Sequence, residues 1–438
     1  MINALRMDVQ PILPLLRRHV EDAAFYWEQR DRSLQSPHVD LARLQHFDRL
    51  LQAHLDGVAV AADQGWDEAW RALERWGGAG EAFVCASIGL LHPDGTRLQA
   101  LWPVIEGHPQ RLARGLVSAL AWYASRPGTL PTPWIEHWMA QDKVPLLKAI
   151  ALRAAACCGW PRQAIALEAC RAETAALRLA GYRALALPGG SPADIEVLRN
   201  GLAEADPRMR GEAACSLSLR GQELHRALPV LLEAVGDAVR QLGEAQGVDK
   251  RPLERRARRW LLQAALHLPP GHPQVPGLVQ GLPRLLTLDF IAWHGDCAYV
   301  PLLLEAMDDP AMAQGALWAL QTLTGVPSEW VAGVRTPHEV LSGAFAGLPY
   351  PDVAQARSWW ANSQGHFPPG QRRVAGQAVD GSEPPAAPDW RIRWLREGCQ
   401  RQRHLAAAHW RRAHPDTFIN LRQPARQQWA ALEQSFDA

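Results

Sequence analysis

The chain has 438 residues, 47% of them hydrophobic and 21% charged, a composition that excludes intrinsic disorder and a length beyond one ordinary globular core. Its 46 Lys and Arg balance 45 Asp and Glu for a net charge of +1, whereas a dedicated nucleic-acid binder carries a larger basic excess, so this balance argues against a nucleic-acid partner. No uncharged apolar run reaches the roughly 18 residues of a membrane span, and MINALRMDVQPILPLLRRHVEDAAFYW lacks the basic start, apolar core and cleavage site of a secretory signal, so a soluble cytoplasmic protein without membrane contact is expected.

Ala, Leu and Arg are abundant and alternating runs of Val, Ile, Thr and Tyr are few, which favours helix over strand throughout. The 19 Trp residues are expected mainly in the core, where their large area is best buried. Cys85, Cys157, Cys158, Cys170, Cys215, Cys297 and Cys399 form no Cys-x-x-Cys pair and lie in apolar helical stretches. Buried free thiols in a reducing compartment are expected.

In chain order, the first predicted helix carries Leu13, Leu16, Val20, Ala24 and Trp27 on one apolar stripe. Ser36-Pro37 predicts the start of a second, with Ser36 as N-cap and Leu41, Leu44, Phe47, Leu51, Leu55 and Val58 as its stripe. These helices, within 1–63, are expected to cap an array spanning 64–330. There, helices alternate with Gly, Pro or Asp breaks and pairs recur every 30 to 40 residues or so, the period of an α-solenoid. Two units read most clearly: ALRLAGYRALALPGGSPADIEVLRNGLAEADPRMRGEAACSLSLRG (176–221) and GDCAYVPLLLEAMDDPAMAQGALWALQTLTG (295–325).

In these units Ala180, Ala184, Ala213 and Ala214 permit close helix approach, while Leu177, Leu185, Leu198, Leu202, Leu217 and Leu219 fill the space between layers. Asp206-Pro207 and Asp309-Pro310 each place a capping carboxylate before a proline at the first helical position. A single pair cannot bury its apolar face alone, so stacking is required. From 326 this rhythm breaks, and the last part, 331–438, is rich in Pro and Gly: Pro327, Pro337, Pro349, Pro351, Pro368, Pro369, Pro384, Pro385 and Pro388 predict mostly loop over 326–390, with 373–390 flexible or laid as a surface strap. One final helix is expected from about Trp390 to Ala413, then an irregular tail at LRQPARQQW.

Three stretches carry a resemblance. They are HVEDAAFYWEQRDRSLQSPHVDLARLQHFDRLLQAHLDGVAVAADQGW (19–66), the two repeat units with RGLVSALAWYA (114–124), and LPYPDVAQARSWWANSQGHFPPGQRRVAGQ followed by WLREGCQRQRHLAAA. Nearly end to end, the chain resembles a proteobacterial family of HEAT-repeat proteins that tend to occur near type VI secretion and spike-effector genes. The resemblance implies an all-α solenoid of HEAT-like helix pairs. It also implies a role beside a secreted effector, either as an immunity protein that neutralises it, often a nuclease toxin, or as an accessory that loads it.

Several constellations have the residue types of a catalytic or metal site. His54-Leu55-Asp56-Gly57 follows His46, but on a helix His46 and His54 stand about 12 Å apart along the axis, too far for joint ligation. The His-Glu-x-x-His signature is absent, and a helix ending at Asp-Gly is the simpler expectation. Ser36-Pro37-His38 has no Gly-x-Ser-x-Gly elbow around it, and neither a P-loop nor a strand-associated Gly-x-Gly-x-x-Gly occurs. No catalytic residue, metal ligand or cofactor is expected, and the protein is read as a non-enzyme.

Two basic clusters remain. Residues 250–259, KRPLERRARR, hold six positive charges in ten positions, with Arg255, Arg258 and Arg259 on one helix face and Leu253, Ala257 and Trp260 nearer the core. The second comprises Arg391, Arg393, Arg396, Arg401 and Arg403. Each is either a solvated face with some ion pairs or a docking patch for an acidic partner or phosphates. Arg255, Arg258, Arg259 and the Trp359-Trp360 pair are the expected partner-binding residues, because Trp and Arg anchor large interfaces. Three functions follow. The leading one is an immunity protein that binds and occludes a type VI effector toxin encoded nearby. The alternatives are an effector-loading adaptor and, since some DNA-repair glycosylases cradle duplex DNA in a HEAT-like superhelix, a DNA-binding enzyme.

Overall fold

A computed structural model describes residues 11–92, 94–124, 131–247, 250–333, 345, 347–379 and 389–436. Expectations that fall on residues 1–10, around Pro337, and on 380–388 with Pro384, Pro385 and Pro388 lie outside these. Among the described residues the fold is all-α, with 22 α-helices and two minimal antiparallel ladders. In the ladders β1 (Ala332–Gly333) pairs with β2 (Tyr350–Pro351), and β3 (Arg373–Val374) with β4 (Gln377–Ala378). No helix among the described residues is long and apolar enough to cross a membrane.

Contacts divide the chain into two compact units, one of 1–34, 42–184 and 422–434, the other of 35–41, 185–421 and 435–438. The first holds α1 (Leu13–Ser33), α2 (Leu41–Val60), α3 (Ala62–Trp76), α4 (Ala79–Leu91), α5 (Thr96–Gly107), α6 (Pro109–Ala124), α7 (Pro131–Met139), α8 (Pro145–Cys157), α9 (Gln163–Ala169) and α10 (Ala175–Ala184). The second holds α11 (Pro192–Gly201), α12 (Pro207–Leu219), α13 (Leu224–Glu244), α14 (Lys250–His267), α15 (Val275–Gly281), α16 (Arg284–His294), α17 (Val300–Ala306), α18 (Ala313–Thr324), α19 (Val353–Ser363), α20 (Trp390–Glu397) and α21 (Gln400–Ala413). Most of α22 (Ala425–Phe436) belongs with the first unit.

One packing rule serves both units. In the first, α4, α6, α8 and α10 pack in succession, and each takes the helix before it as a partner. In the second, α12, α14, α16 and α18 form the same ladder, partnered by α11, α13, α15 and α17. A ladder helix touches neighbours on both sides, so it must be apolar nearly all round. The sequences comply: residues 82–90 of α4 and 286–294 of α16 are all buried. Close approach also needs missing side chains. A Cβ on Gly115 of α6 would stand 2.3 Å from the Ala79 carbonyl oxygen and 2.7 Å from the Phe83 nitrogen of α4.

Ala180, Ala184, Ala213 and Ala214 are buried as expected, with Leu177, Leu185, Leu198 and Leu217, whereas Leu202 and Leu219 are half-buried. The seven cysteines are free, with Cys85, Cys170, Cys215 and Cys297 buried and Cys157, Cys158 and Cys399 half-buried. Burial pushes the Cys297 thiol up to about 12, which leaves it an inert apolar filler.

Several local expectations are corrected. α2 begins at Leu41, not beside Pro37. Ser36 closes a turn by accepting from the His38 N–H (3.2 Å), and the Ser36 and Val39 carbonyls accept from Arg401 N and Gln400 N (3.2 and 2.8 Å) at the start of α21. α2 also runs through Asp56-Gly57 to Val60. Gly57 serves close approach there, since a Cβ would meet the His19 ring at 3.0 Å. His54 faces α1, with its Nδ1 3.0 Å from that of His19 and its ring stacked on Tyr26. Asp206 caps α12 as expected, accepting from Arg208 N at 2.8 Å. Asp309 instead caps a preceding turn through Ala311 N (3.0 Å), and α18 starts at Ala313.

The C-terminal expectations change most. The stretch read as loop contains α19, capped by Asp352 through Gln355 N at 2.9 Å. The expected last helix is two, α20 and α21, broken at Gly398-Cys399, and the expected irregular tail contains α22. The strap is present over 370–379, where it satisfies helix-end carbonyls that the helices themselves cannot. Arg372 donates to the Leu266 carbonyl in the last turn of α14 and to the Leu268 carbonyl just beyond it. Arg373 N reaches the Gly295 carbonyl after α16 (2.8 Å), and Ala375 N and Gly376 N reach those of Thr322 and Leu323 in α18 (2.8 and 3.1 Å).

Candidate partner-binding surface

The two expected groups of site residues lie in the second unit with different fates. In the α14 cluster Arg258 is a core residue, 8% exposed. It donates through Nε to Asp289 (2.9 Å) and through Nη1 to Glu254 (2.5 Å). Asp289, fully buried, also accepts from Arg401 of α21. The Arg401 guanidinium in turn lies 4.7 Å from the Phe345 ring centroid and 5.5 Å from that of Trp318. Burial disfavours the charge on Arg258, but the carboxylates of Asp289 and Glu254 more than offset this and raise its pKa. On Arg401 burial prevails over Asp289, and Arg258 adds to the lowering.

Arg259 pairs with the buried Glu212 of α12, whose carboxylate holds the guanidinium charged against the cost of burial. Arg255 is half-buried. The face read as a docking patch is therefore engaged within the fold at Arg258 and Arg259. The C-terminal cluster behaves alike at Arg401 and at Arg403. The latter is 0% exposed, donates to the Leu395 carbonyl (2.8 Å), and is lowered by burial to about 10. Arg391 clasps Asp389 through Nε, at 3.0 Å to each carboxylate oxygen.

Trp359 and Trp360 form a surface. Adjacent helix residues point about 100° apart, so a third ring is needed to pack against both of two consecutive Trp at once. Phe367 does so, after the 3-10 turn Gln364–His366 reverses the chain. Its ring centroid is 5.9 Å from that of Trp359 and 5.8 Å from that of Trp360, and the two indoles are 6.1 Å apart. These spacings are those of favourable aromatic pairs. The Arg373 guanidinium stands 5.4 Å from the Phe367 centroid, held by the Gly376 carbonyl (2.8 Å) and the Gln371 Oε1 (2.9 Å).

All three rings are half-buried and rest on the apolar core built by α16, α17 and α18. The turn Ser328–Trp330 and α17 both pack on α19, and they expose Trp330 by 57% and Leu302 by 38%. The ladder β1–β2, with Asp352 N donating to the Val331 carbonyl (2.9 Å), fixes where α19 begins.

The sequence marked Trp359 and Trp360 but not Trp330, Phe367, Arg373 or Leu302. The Trp-Trp doublet is visible as a doublet, while its partners are assembled by turns with no sequence periodicity. Among the described residues no group of three or more His, Cys, Asp and Glu is placed to hold a metal ion. No known protein family, curated protein or solved structure matches the chain, so the family resemblance rests on the motifs quoted for it.

Proposed function

We propose that the protein is a HEAT-like helical scaffold that binds another protein through the surface of α19. The single observation that carries this is the cluster of Trp359, Trp360 and Phe367. Its rings are partly buried on a packed core, and the turn and helix that pack on α19 expose Trp330 and Leu302. Large aromatics held rigid by the fold and left partly open are the usual anchors of protein interfaces. The ladder of helix pairs in each unit supports the solenoid part of the reading, since stacked pairs make rigid extended platforms. The resemblance to HEAT-repeat proteins beside secretion effectors makes the partner an effector, neutralised by occlusion.

Copurification with the product of the neighbouring gene tests this. The wild-type chain retains the partner, and the Trp359→Ala/Trp360→Ala double variant binds it about thirtyfold more weakly or worse, the loss typical of central aromatic anchors. Equal affinity of the two, with the fold of the variant intact, places the interface elsewhere.

A further inference from the structure

The sequence offers His54 only His46 on its own helix, too far along the axis for joint ligation, but packing brings it a different imidazole. His19 of α1 and His54 of α2, both half-buried, bring their Nδ1 atoms within 3.0 Å, with ring centroids 5.1 Å apart and ring planes at 56°. Both rings are held in place. A Cβ on Gly57 would stand 3.0 Å from His19 Nδ1 and 3.1 Å from its Cδ2 and Cε1, so the missing side chain is what lets that ring lie against α2. Tyr26 stacks on His54, with centroids 5.5 Å apart and planes at 23°. Asp22 Oδ2 stands 3.8 Å from His54 Nε2 and 3.5 Å from Arg18 Nε. A contact between two Nδ1 atoms needs a proton on one and a lone pair on the other. The charge of Asp22 favours the His54 proton on Nε2, which leaves the His54 Nδ1 lone pair for His19. Burial lowers the pKa of His54 against the pull of Asp22, with His19 and Arg18 adding to the lowering, so this ring is neutral at pH 7.

We propose that His19 and His54 chelate one divalent transition ion of the zinc and copper class through their Nδ1 atoms. The ion takes the place of the proton between the rings, and both rings then carry their own proton on Nε2. Two imidazole nitrogens bound to one ion at angles between the square and tetrahedral values stand roughly 2.9–3.4 Å apart, and the pair already has that bite. Imidazole nitrogen selects ions of this class, whereas magnesium and calcium take oxygen. Asp22 stands behind His54 as the carboxylate that orients a ligating ring. Two protein ligands suffice for an exchangeable ion, because water fills its remaining positions. The site lies in the first unit and is independent of the α19 surface.

The test titrates Zn2+ into the full chain carrying 15N-labelled histidine, with Mg2+ as a separate arm. The expected result is that the ring nitrogen signals of His19 and His54, assigned by their loss in His19→Gln and His54→Gln, shift together with Zn2+, ahead of the other histidines, and stay still with Mg2+. Each single variant should weaken the tightest Zn2+ binding about tenfold or more, and the double variant should bind no more weakly than either, because a chelate is lost with its first ligand. Cu2+ on the unaltered chain should show electron-spin coupling to two imidazole nitrogens, a readout that needs no variant to fold. Zn2+ affinity unchanged in the double variant, ring signals that do not move, or coupling of bound Cu2+ to fewer than two imidazoles overturns the chelate and leaves a hydrogen-bonded pair.

Discussion

Asp289→Asn is the substitution whose effect follows most directly from the second unit's core. The carboxylate is fully buried and accepts from Arg258 at 2.9 Å and from Arg401, so it neutralises guanidinium groups brought together from α14 and α21. Asparagine keeps the volume but loses the charge and one acceptor oxygen. Arg258 keeps Glu254 at 2.5 Å, but Arg401 keeps only the Gln35 carbonyl (2.8 Å) and two aromatic faces. Each charge-assisted bond contributes about 1.5–3 kcal/mol, and breaking a buried pair costs about 3–5 kcal/mol. The expected loss is about 3–5 kcal/mol, a fall of about 6–20 °C in the melting temperature of a unit of this size. Calorimetry resolves it as a shift of one transition, since two compact units need not melt together. Arg401→Met in the same background should then cost far less than in the wild type, because the two changes remove one network. An unchanged transition in Asp289→Asn, or strict additivity with Arg401→Met, refutes the account of the network.

Three further outcomes are expected. Gly115→Ala should cost about 1–3 kcal/mol or more in thermal melting, because its Cβ would stand 2.3 Å from a backbone oxygen of α4 that cannot move aside; a neutral result contradicts the close packing of α4 on α6. Leu217→Asp, at a position 0% exposed in α12, should lose several kcal/mol by burying an unpaired carboxylate, and circular dichroism at 37 °C or so should show the loss of helix. His267 is held neutral against the Ser218 carbonyl (2.9 Å). Burial, then Arg412 and Arg372, lower its pKa from 6.5 to about 4. Between those values only the unfolded chain binds the proton, so stability is intact above about pH 6.5 and falls by up to about 3 kcal/mol as the pH drops towards 4. The urea midpoint at pH 7.5 and 4.5 or so should show this drop, and His267→Gln should reduce it.

Helix positions were legible wherever the signal is local. The stripe of Leu16, Val20, Ala24 and Trp27 is buried as its spacing implies, though Leu13 at the helix start is 52% exposed; in α2, Leu41, Leu44, Leu51, Leu55 and Val58 are buried and Phe47 is half-buried. What failed was long-range. α22 was missed because its first N–H is capped by Asp48 of α2 at 2.6 Å. The Arg422 and Gln423 carbonyls before it are held by Arg30 at 3.0 and 2.9 Å. No local residue announces such a cap. The basic run of α14 looked solvated because the acids that answer Arg258 and Arg259 are Asp289 and Glu212, which lie on α16 and α12. The Trp359-Trp360 doublet stood out in the sequence, whereas Phe367 joins it only through a turn.

Hydrogen exchange of the protein with and without the neighbouring gene's product tests the central claim most directly, because it maps the covered surface without altering a residue. The account predicts slowed exchange in the complex over 327–331 and 353–367, the backbone that carries Trp330, Trp359, Trp360 and Phe367. Protection confined to other segments, or none at saturating partner, contradicts it.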